Sequence, residues 1–541
     1  MPTRQDLVRL AAQAEEDVRA GRLSRRDFLY VMGMFGGAAF LAACGAPAAT
    51  TPTAAPTTAS APVSAPRGRL RVAFDAPANL DPALVSSDTE VSIIGAIYDY
   101  LIDITSENTL APRLATAWES TPDGLTYTIT LAEKVTFHDG SPFSADDVVW
   151  TYNRLRDPAN GFATADLYAN ITEVKADGPT KVIFTLAQPN PFFLFDLSDN
   201  HAVITKANSS DLSVTFNGTG PFKVKEYKTE NYMSLEANPN YFIAGKPGAA
   251  ILDFAFFPDA SASVDALKGN QVDLFMRMPT ALFQGLTGEA GITTVSIPTN
   301  GFDTARIRTD REPGNNPKVV EAFRLATDRQ AIYNTINLNL GAQGRDTPIG
   351  PLYKAYYTEE FALPARDPAK AKALLAEAGY PDGLKMDLYV PDSGDRPDMA
   401  AVLKAQWIEA GIDVNIVLQP ENAYYADDGW LAVDLGITPW GSRPTPQFYF
   451  DVMLATGAKW NEAHFSDPEL DELIKKAGGT LDEAERVTAY KEIQRILIER
   501  GPLFLPYFFA QLGAIREGFT GFTLKAFAGR TDLAAIVPPA A

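Results

Sequence analysis

The chain has 541 residues, and its 47 Lys and Arg against 67 Asp and Glu give a formal net charge of −20. A surface with this excess of negative charge repels phosphate backbones, which excludes nucleic acid as an expected partner. The single cysteine excludes an intrachain disulfide. With only three histidines, which do not cluster, we expect no His/Cys metal site and no cofactor.

Residues 1–43 are predicted to be an export signal. Arg25 and Arg26 precede an uncharged apolar run, residues 28–43, that is shorter than the roughly 20 residues a membrane span needs. The run ends in Leu-Ala-Ala before Cys44, and the whole pattern resembles a twin-arginine signal followed by a bacterial lipobox. The resemblance implies export, cleavage before Cys44 and a lipid anchor on that cysteine. The alternative is an uncleaved anchor helix with an incidental cysteine.

Residues 44–66 are predicted to be a tether. The segment consists almost entirely of Ala, Pro, Thr and Ser and contains no charged residue, so it cannot bury enough apolar area to fold. Its proline content favours an extended chain. We therefore expect a folded body held by a leash at the outer face of the cytoplasmic membrane.

The body, from residue 67 onward, is predicted to be of the α/β class. Residues 125–131 and 181–186 alternate apolar and polar positions as half-buried strands do. Asp367-Pro368 opens a helix that Gly379 closes. A second helix, about residues 398–410, ends at Gly411 and precedes a strand at 412–418. Helix, glycine and strand at this spacing are typical of an α/β domain.

Eight stretches along the chain carry a family resemblance. They are NLDPAL (79–84), LAPRLATAWESTPDGLTYTITL (110–131), VTFHDGSPFSADDVVWTY (135–152), GTGPFKVKEY (218–227), ANPNYF (237–242), VVEAFRLATDRQAI (319–332), DPAKAKALLAEAGYPDG (367–383) and LKAQWIEAGIDV (403–414). In this order they resemble the extracellular solute-binding proteins of the dipeptide, oligopeptide and nickel type, family 5. A single stretch is weak evidence, whereas eight in the family's order over most of residues 67–510 identify the chain as a member.

The resemblance implies a two-lobed, clamshell-like periplasmic binding protein with an extra small domain on the first lobe. The first lobe is expected at residues 67–104, 195–305 and 506–541. The small domain is expected at 105–194 and the second lobe at 306–505. Two crossings between the lobes would act as a hinge, and closure of the lobes would bury the ligand.

Several short motifs are interpreted as structural. Thr480 and Glu483 form a capping box before a last long helix that ends near Arg500. His138 is interpreted as a turn residue that bonds locally. The Gly-Thr-Gly at residues 218–220 lacks the lysine of a phosphate-binding loop, so we interpret it as a turn near a lobe crossing.

The resemblance implies a binding protein of an ABC importer rather than an enzyme. It implies a small-molecule solute, peptide-like or an oligosaccharide, and the permease subunits as partners, and we expect a monomer. No Gly-x-Ser-x-Gly elbow, His-Glu-x-x-His motif or cysteine nucleophile is present, so no catalytic residue is predicted. An exported hydrolase is the less favoured alternative, because a carboxylate pair leaves no sequence signature. A structural or adhesive lipoprotein predicts repeats, which are not evident.

The solute class depends on one segment. Peptide-binding relatives present an acid, in a stretch rich in Asp and Pro, to the amino group of the peptide. The corresponding residues 436–450 contain Arg443 and no acid. We predict that Trp440 and Arg443 line the cleft, Arg443 meeting a carboxylate or phosphate, with Asn79 and Phe302 as further ligand contacts. The alternative is that Arg443 pairs with a protein acid such as Asp434, and that Trp440, like the neighbouring aromatic residues, belongs to the core.

Overall fold

The computed structural model describes residues 65–426, 429–527 and 529–540. In these ranges strands and helices are mixed along the chain, as predicted. The strands are β1 (Arg67–Phe74), β2 (Ile102–Ile104), β3 (Leu110–Pro112), β4 (Ala115–Ser120), β5 (Thr126–Leu131), β6 (Ile171–Ala176), β7 (Lys181–Leu186), β8 (Phe222–Lys228), β9 (Tyr232–Ala237), β10 (Ala249–Phe256), β11 (Leu274–Met276), β12 (Ile292–Ile307), β13 (Ala342–Gln343), β14 (Leu384–Pro391), β15 (Ile412–Gln419), β16 (Leu435–Trp440) and β17 (Leu503–Arg516).

The longer helices are α1 (Asp88–Ile97), α2 (Ala145–Arg156), α3 (Ala260–Lys268), α4 (Thr280–Leu286), α5 (Pro317–Ala326), α6 (Arg329–Thr335), α7 (Pro368–Glu377), α8 (Arg396–Trp407), α9 (Pro468–Gly479) and α10 (Glu483–Arg500). Short helical turns lie between them, at Pro158–Asn160, Thr164–Leu167, Phe193–Asp196, Pro351–Tyr356, Ile408–Ala410, Glu421–Tyr424, Gln447–Tyr449, Phe450–Leu454 and Leu533–Ala535.

A large mixed sheet runs through both halves of the body, in the order β15-β14-β16-β12-β17-β11-β1-β10-β9-β8, with β13 paired to β17. The long antiparallel strands β12 and β17 pair along most of their length, and their register shifts between Pro298 and Phe302. One end of this pair joins β11, and the other joins β16. The predicted lobe crossings, near residues 305 and 506, fall on these two strands. The domain boundaries themselves stay a prediction.

A separate four-stranded sheet, β4-β5-β7-β6, packs with α2 around its own apolar core. Its strands β5 and β7 match the segments predicted at 125–131 and 181–186, because apolar and polar positions alternate along both. The sheet lies within the predicted small domain.

The helix ends predicted around β14 and β15 are confirmed. Asp367 caps α7 by accepting a hydrogen bond from the Lys370 amide, and Gly379 follows the helix with a positive φ of 100°. Gly411 ends the turn after α8 with a φ of 82°. These signals are local to the chain, which is why the sequence alone reveals them.

One other prediction of local structure is wrong. The last helix is capped by Asp482, whose carboxylate accepts from the Glu485 amide, so Thr480 and Glu483 form no capping box. Strand β16 begins at Leu435. The backbone before this strand bonds to a side chain instead of a neighbouring strand, since the carbonyls of Trp430 and Val433 accept hydrogen bonds from Arg306.

His138 and the Gly-Thr-Gly motif contact each other rather than acting locally. The His138 amide donates to the Gly218 carbonyl, and the His138 Nε2 lies 3.0 Å from the Gly220 carbonyl oxygen. Neither glycine has a positive φ. Instead, a Cβ on Gly218 would lie 2.0 Å from the Ile97 carbonyl oxygen at the end of α1. These glycines therefore permit a close approach of two chain segments, not a turn.

Candidate functional site

Three adjoining cavities form a cleft around the segment that follows β16. We name them after a residue in each wall: the Arg396 cavity, of about 360 Å³, the Arg443 cavity, of about 180 Å³, and the Asp451 cavity, of about 310 Å³. Ser442 borders the first two. Phe448 borders the last two. The shared walls make one cleft of a size that suits a small solute.

The segment after β16 is fixed in place by hydrogen bonds to its backbone carbonyls. The strand ends at Trp440, which pairs with Phe302 of β12. Beyond it, the Arg443 carbonyl accepts from the Tyr353 hydroxyl at 2.8 Å and from the Asn300 amide at 3.3 Å. Asn108 donates to the Pro444 carbonyl at 2.8 Å. The backbone is therefore fixed, while the Arg443 side chain is left available.

Arg443 is half-buried in the wall of its cavity. Its guanidinium lies over the ring of Phe448, with the Cζ 4.4 Å from the ring centroid. Its Nε is buried without a hydrogen-bond partner, and no carboxylate of the described residues forms an ion pair with it. Asp434, considered as a partner from the sequence, instead pairs with Arg311. A half-buried guanidinium without a protein acid favours an anionic partner from outside the chain.

Two carboxylates that the sequence did not single out border the Asp451 cavity. Asp196 ends the helical turn Phe193–Asp196, and Asp451 follows the Gln447–Tyr449 turn on the other side of the cleft. Burial, together with the negative charges of Asp199 and Asp451, raises the pKa of Asp196 to about 8. Burial likewise raises the pKa of Asp451 to about 6. No motif marks either residue, because their significance depends on tertiary contact alone.

The Arg396 cavity contains a more fully paired set of charges. Asp303 accepts from the Tyr507 hydroxyl at 2.9 Å and lies 3.5 Å from Arg396. Burial raises the pKa of Asp303 despite the nearby Arg396. Trp440 borders the same cavity and is only 6% exposed, and its indole nitrogen donates to Glu462 at 3.0 Å. Trp440 is thus almost fully buried in the core and also forms part of the wall of the Arg396 cavity.

The other predicted ligand contacts lie away from these three cavities. Phe302 is fully buried and packs edge-on against Tyr449 and Phe508. The Asn79 side chain accepts from the Asp81 amide at 2.8 Å, as a turn residue does. Both positions fit structural roles, and ligand contact by either stays a prediction. The export and lipidation residues, Arg25, Arg26 and Cys44, lie outside the described residues.

Two further features bear on the kind of site. No group of three His, Cys, Asp or Glu side chains placed to hold a metal ion occurs in the described ranges. Among those same residues, none of the helices combines the length and the apolar character needed to cross a bilayer.

Residues 109–462 match the family described as bacterial extracellular solute-binding proteins, family 5 Middle. Heme-binding protein A of Haemophilus influenzae is 28% identical over 468 residues, which cover 79% of this chain and 84% of that protein. The dipeptide-binding protein of Escherichia coli is 26% identical over 488 residues, covering 83% and 90%.

Solved structures resemble the whole body. NikZ from Campylobacter jejuni, in complex with Ni(L-His), has a TM-score of 0.75 at 23% identity and covers 87% of this chain and 100% of its own. CtaP from Listeria monocytogenes has a TM-score of 0.76 at 23% identity, covering 87% and 99%. These likenesses confirm the predicted fold class, a two-lobed binding protein of mixed α and β structure.

Proposed function

The chain belongs to family 5 of the bacterial extracellular solute-binding proteins, and we propose that its solute is a small peptide-like compound with an anionic group. The protein holds this compound between its two lobes and delivers it to the permease of an ABC importer. The E. coli relative is named for dipeptides, which carry a carboxylate. The family also implies that the protein acts outside the cytoplasm.

One observation carries the proposed anionic group. The guanidinium of Arg443 lies in the cleft wall, stacked on Phe448, without an ion pair among the described residues. Arg presents a planar fork of donors that matches a carboxylate or a phosphate. A peptide-like solute therefore places its carboxylate, rather than its amino group, at residue 443.

An oligosaccharide is the second candidate solute. Aromatic rings of Phe448 and Trp460 line the Arg443 and Asp451 cavities, and their centroids lie 6.4 Å apart. Flat rings of this kind suit stacking against sugars. A neutral sugar leaves the charge of Arg443 unmet, so the charge of the bound solute separates the two candidates.

We further propose that capture involves no chemical step. Asp196 and Asp451 are the acid pair of the described cleft that most resembles the carboxylates of a hydrolase. Because proteins of this family bind solutes, we propose that this pair carries out no catalysis. Mass spectrometry after prolonged incubation should recover the bound solute unchanged, and a cleaved product would establish the hydrolase alternative.

A lipid anchor at Cys44 is the proposed means of retention at the membrane. The Leu-Ala-Ala-Cys sequence supports it, and the tether after it contributes no apolar anchor of its own. Cys44→Ala should release the exported protein into the soluble fraction. A variant that stays in the membrane fraction after signal cleavage would contradict the lipobox. Changing Arg25 and Arg26 to Lys should retain precursor in the cytoplasm, and normal export would indicate the general secretory route.

The decisive experiment identifies the solute. Protein made in a bacterium that encodes it is purified and denatured, and the released compound is identified by mass spectrometry. On re-adding that compound to the emptied protein, small-angle scattering should show a smaller radius of gyration. Calorimetry should show a negative heat-capacity change, because apolar surface in the cleft is buried. An unchanged shape at saturation would contradict capture by lobe closure.

A further inference from the structure

Two carboxylates in the cleft have only neutral hydrogen-bond partners. Asp196 accepts from the amide of Asn190 at 2.7 Å. Asp451 accepts from the amide of Gln447, also at 2.7 Å. In the described parts of the chain, no Lys, Arg or His lies within ion-pair distance of either. The two acids therefore face the Asp451 cavity without a cation of the protein's own.

Other acids near the same cleft do have a cation. Asp199 accepts from the ring of His201 at 2.6 Å. Asp303 lies 3.5 Å from Arg396. The lack of a basic partner thus distinguishes Asp196 and Asp451 from these neighbours, and it holds for both acids that border the Asp451 cavity.

One lysine borders the cavity, but it forms an ion pair with neither of the two acids. Lys459 borders the cavity, but its side chain is 70% exposed and its Nζ lies 3.8 Å from Asp166. Arg443 lies in the adjoining cavity, where its charge acts on Asp199 and His201. Neither cation therefore forms an ion pair with Asp196 or Asp451.

The electrostatic consequence is that negative charge in this cavity is unfavourable until a cation arrives. Burial and the charges of Asp199 and Asp451 together raise the pKa of Asp196 to about 8. Burial also raises the pKa of Asp451, to about 6. A cation placed between the two carboxylates favours their ionised forms and removes their mutual repulsion.

The remaining walls suit an organic cation better than a bare ion. Rings of Phe192, Phe448 and Trp460 and the side chains of Leu167 and Val452 line the cavity. Aromatic faces attract cations, and the apolar walls accept the hydrocarbon part of the same molecule. The volume of about 310 Å³ leaves room for a group the size of a side chain.

We propose that the Asp451 cavity binds the cationic end of the solute, an ammonium or similar organic cation with an apolar body, between Asp196 and Asp451. The proposal rests on the proposed function in treating this cavity as part of the solute site. With Arg443 in the next cavity, the cleft has a basic position and an acidic one. It therefore selects a solute that carries both charges, with its anion at Arg443 and its cation at the acid pair.

The test uses a small probe, so it does not depend on knowing the transported solute. The probe is 2-phenylethylamine, a monovalent cation with an apolar body, and the matched neutral compound is 2-phenylethanol. Ligand-observed NMR and calorimetry at low salt should show that the protein binds the amine at least about tenfold more tightly than the alcohol. Absence of such a preference would overturn the proposal.

Matched variants locate the binding. Asp196→Asn with Asp451→Asn should weaken amine binding at least about tenfold. The control, Asp146→Asn with Glu472→Gln, removes the same total charge from exposed positions and should leave the affinity within about twofold. Equal binding by the two double variants would overturn the proposal. Asp451→Asn alone, which keeps an oxygen to accept from Gln447, serves as the test variant if the double variant does not fold.

A pH series gives a readout that a structural role would not move. Because Asp196 must lose a proton to pair with the amine, affinity should rise from pH 6 to pH 9 and protons should be released on binding. Calorimetry in two buffers of different ionisation enthalpy measures that release. A protein that closes on its natural solute but ignores the amine would keep the proposed function and overturn this inference. Amine binding through the two acids without closure on any solute would do the reverse.

Discussion

Charged residues are arranged in opposite ways in two regions of the molecule. In one region, the carboxylate of Asp103 lies within 3.0 Å of nitrogens of Arg113, Lys525 and Arg530. We call these four residues the Asp103 cluster. In the cleft, Arg443, Asp196 and Asp451 have no ion pair among the described residues. The side chains of the Asp103 cluster are at most 14% exposed. Arg443 and Asp196 are half-buried and Asp451 is exposed, so the two regions differ in burial as well as in partners.

The consequences for ionisation are opposite as well. Burial opposes the ionisation of Asp103, but Arg530, Arg113 and Lys525 together hold its pKa well below the usual range. Burial of Asp196 meets no such compensation, and its pKa rises. We therefore expect that removing one member of the paired cluster destabilises the fold, whereas neutralising one of the unpaired charges leaves no oppositely charged partner behind.

The largest effect is expected from breaking the Asp103 cluster. Asp103→Asn leaves three cations in a poorly solvated site, and removing one partner of a buried ion pair costs about 3–5 kcal/mol. Urea unfolding of the variant measures the loss. The control is Glu377→Gln, which breaks an exposed pair with Lys318 and should cost less than about 1 kcal/mol. Equal losses for the two variants would mean that the cluster does not stabilise the fold.

A large effect on binding, without one on stability, is expected at Arg443. Arg443→Ala should weaken binding of the co-purified solute by about 2–5 kcal/mol, the cost of truncating one side of a buried charge pair. The melting temperature of the free protein should change little, because the guanidinium has no protein acid to lose. The control, Arg311→Ala, breaks the pair with Asp434 and should leave affinity unchanged. A lower melting temperature with intact affinity would assign Arg443 to the scaffold.

The elements that the sequence predicts well are those fixed by neighbouring residues. Asp367 and Gly379 mark the ends of α7 through a side-chain cap and a left-handed glycine, and both lie within one turn of the helix they bound. The capping box at Thr480 fails because Asp482, two residues later, supplies an equivalent cap. Where two caps compete, local sequence does not decide between them.

The residues of the candidate site also divide into those that the sequence reveals and those that only the folded structure brings together. Arg443 and Trp440 are singled out from the sequence because the family resemblance places cleft residues in that segment; both border a cavity, and their contact with the solute stays a prediction. Asp196 and Asp451 are not found, because a carboxylate on each side of the cleft becomes a pair only once the lobes are assembled. His138 shows the same dependence, since its partner Gly220 lies 82 residues away along the chain.

The smallest and most specific effect is expected from Asp196→Asn as a function of pH. The folded protein holds the proton of Asp196 up to a pKa of about 8, whereas an unfolded carboxyl releases it near pH 4. The contribution of this proton to stability is therefore complete below about pH 4 and is lost as the pH rises through 8.

Asparagine does not titrate but accepts the same hydrogen bond from Asn190. The stability of the variant relative to the original protein should thus grow between pH 4 and 8 and then level off. One pKa unit corresponds to about 1.4 kcal/mol, but Asp196 is only half-buried and solvent screens its charge. We therefore expect a total difference reduced to the order of 1–2 kcal/mol, measured by thermal or urea unfolding. The companion variant Asp451→Asn should show a narrower window that ends near pH 6. A difference that is constant with pH, or that shrinks as the pH rises, would mean that Asp196 is paired in the folded protein, and the contrast with the Asp103 cluster would fail.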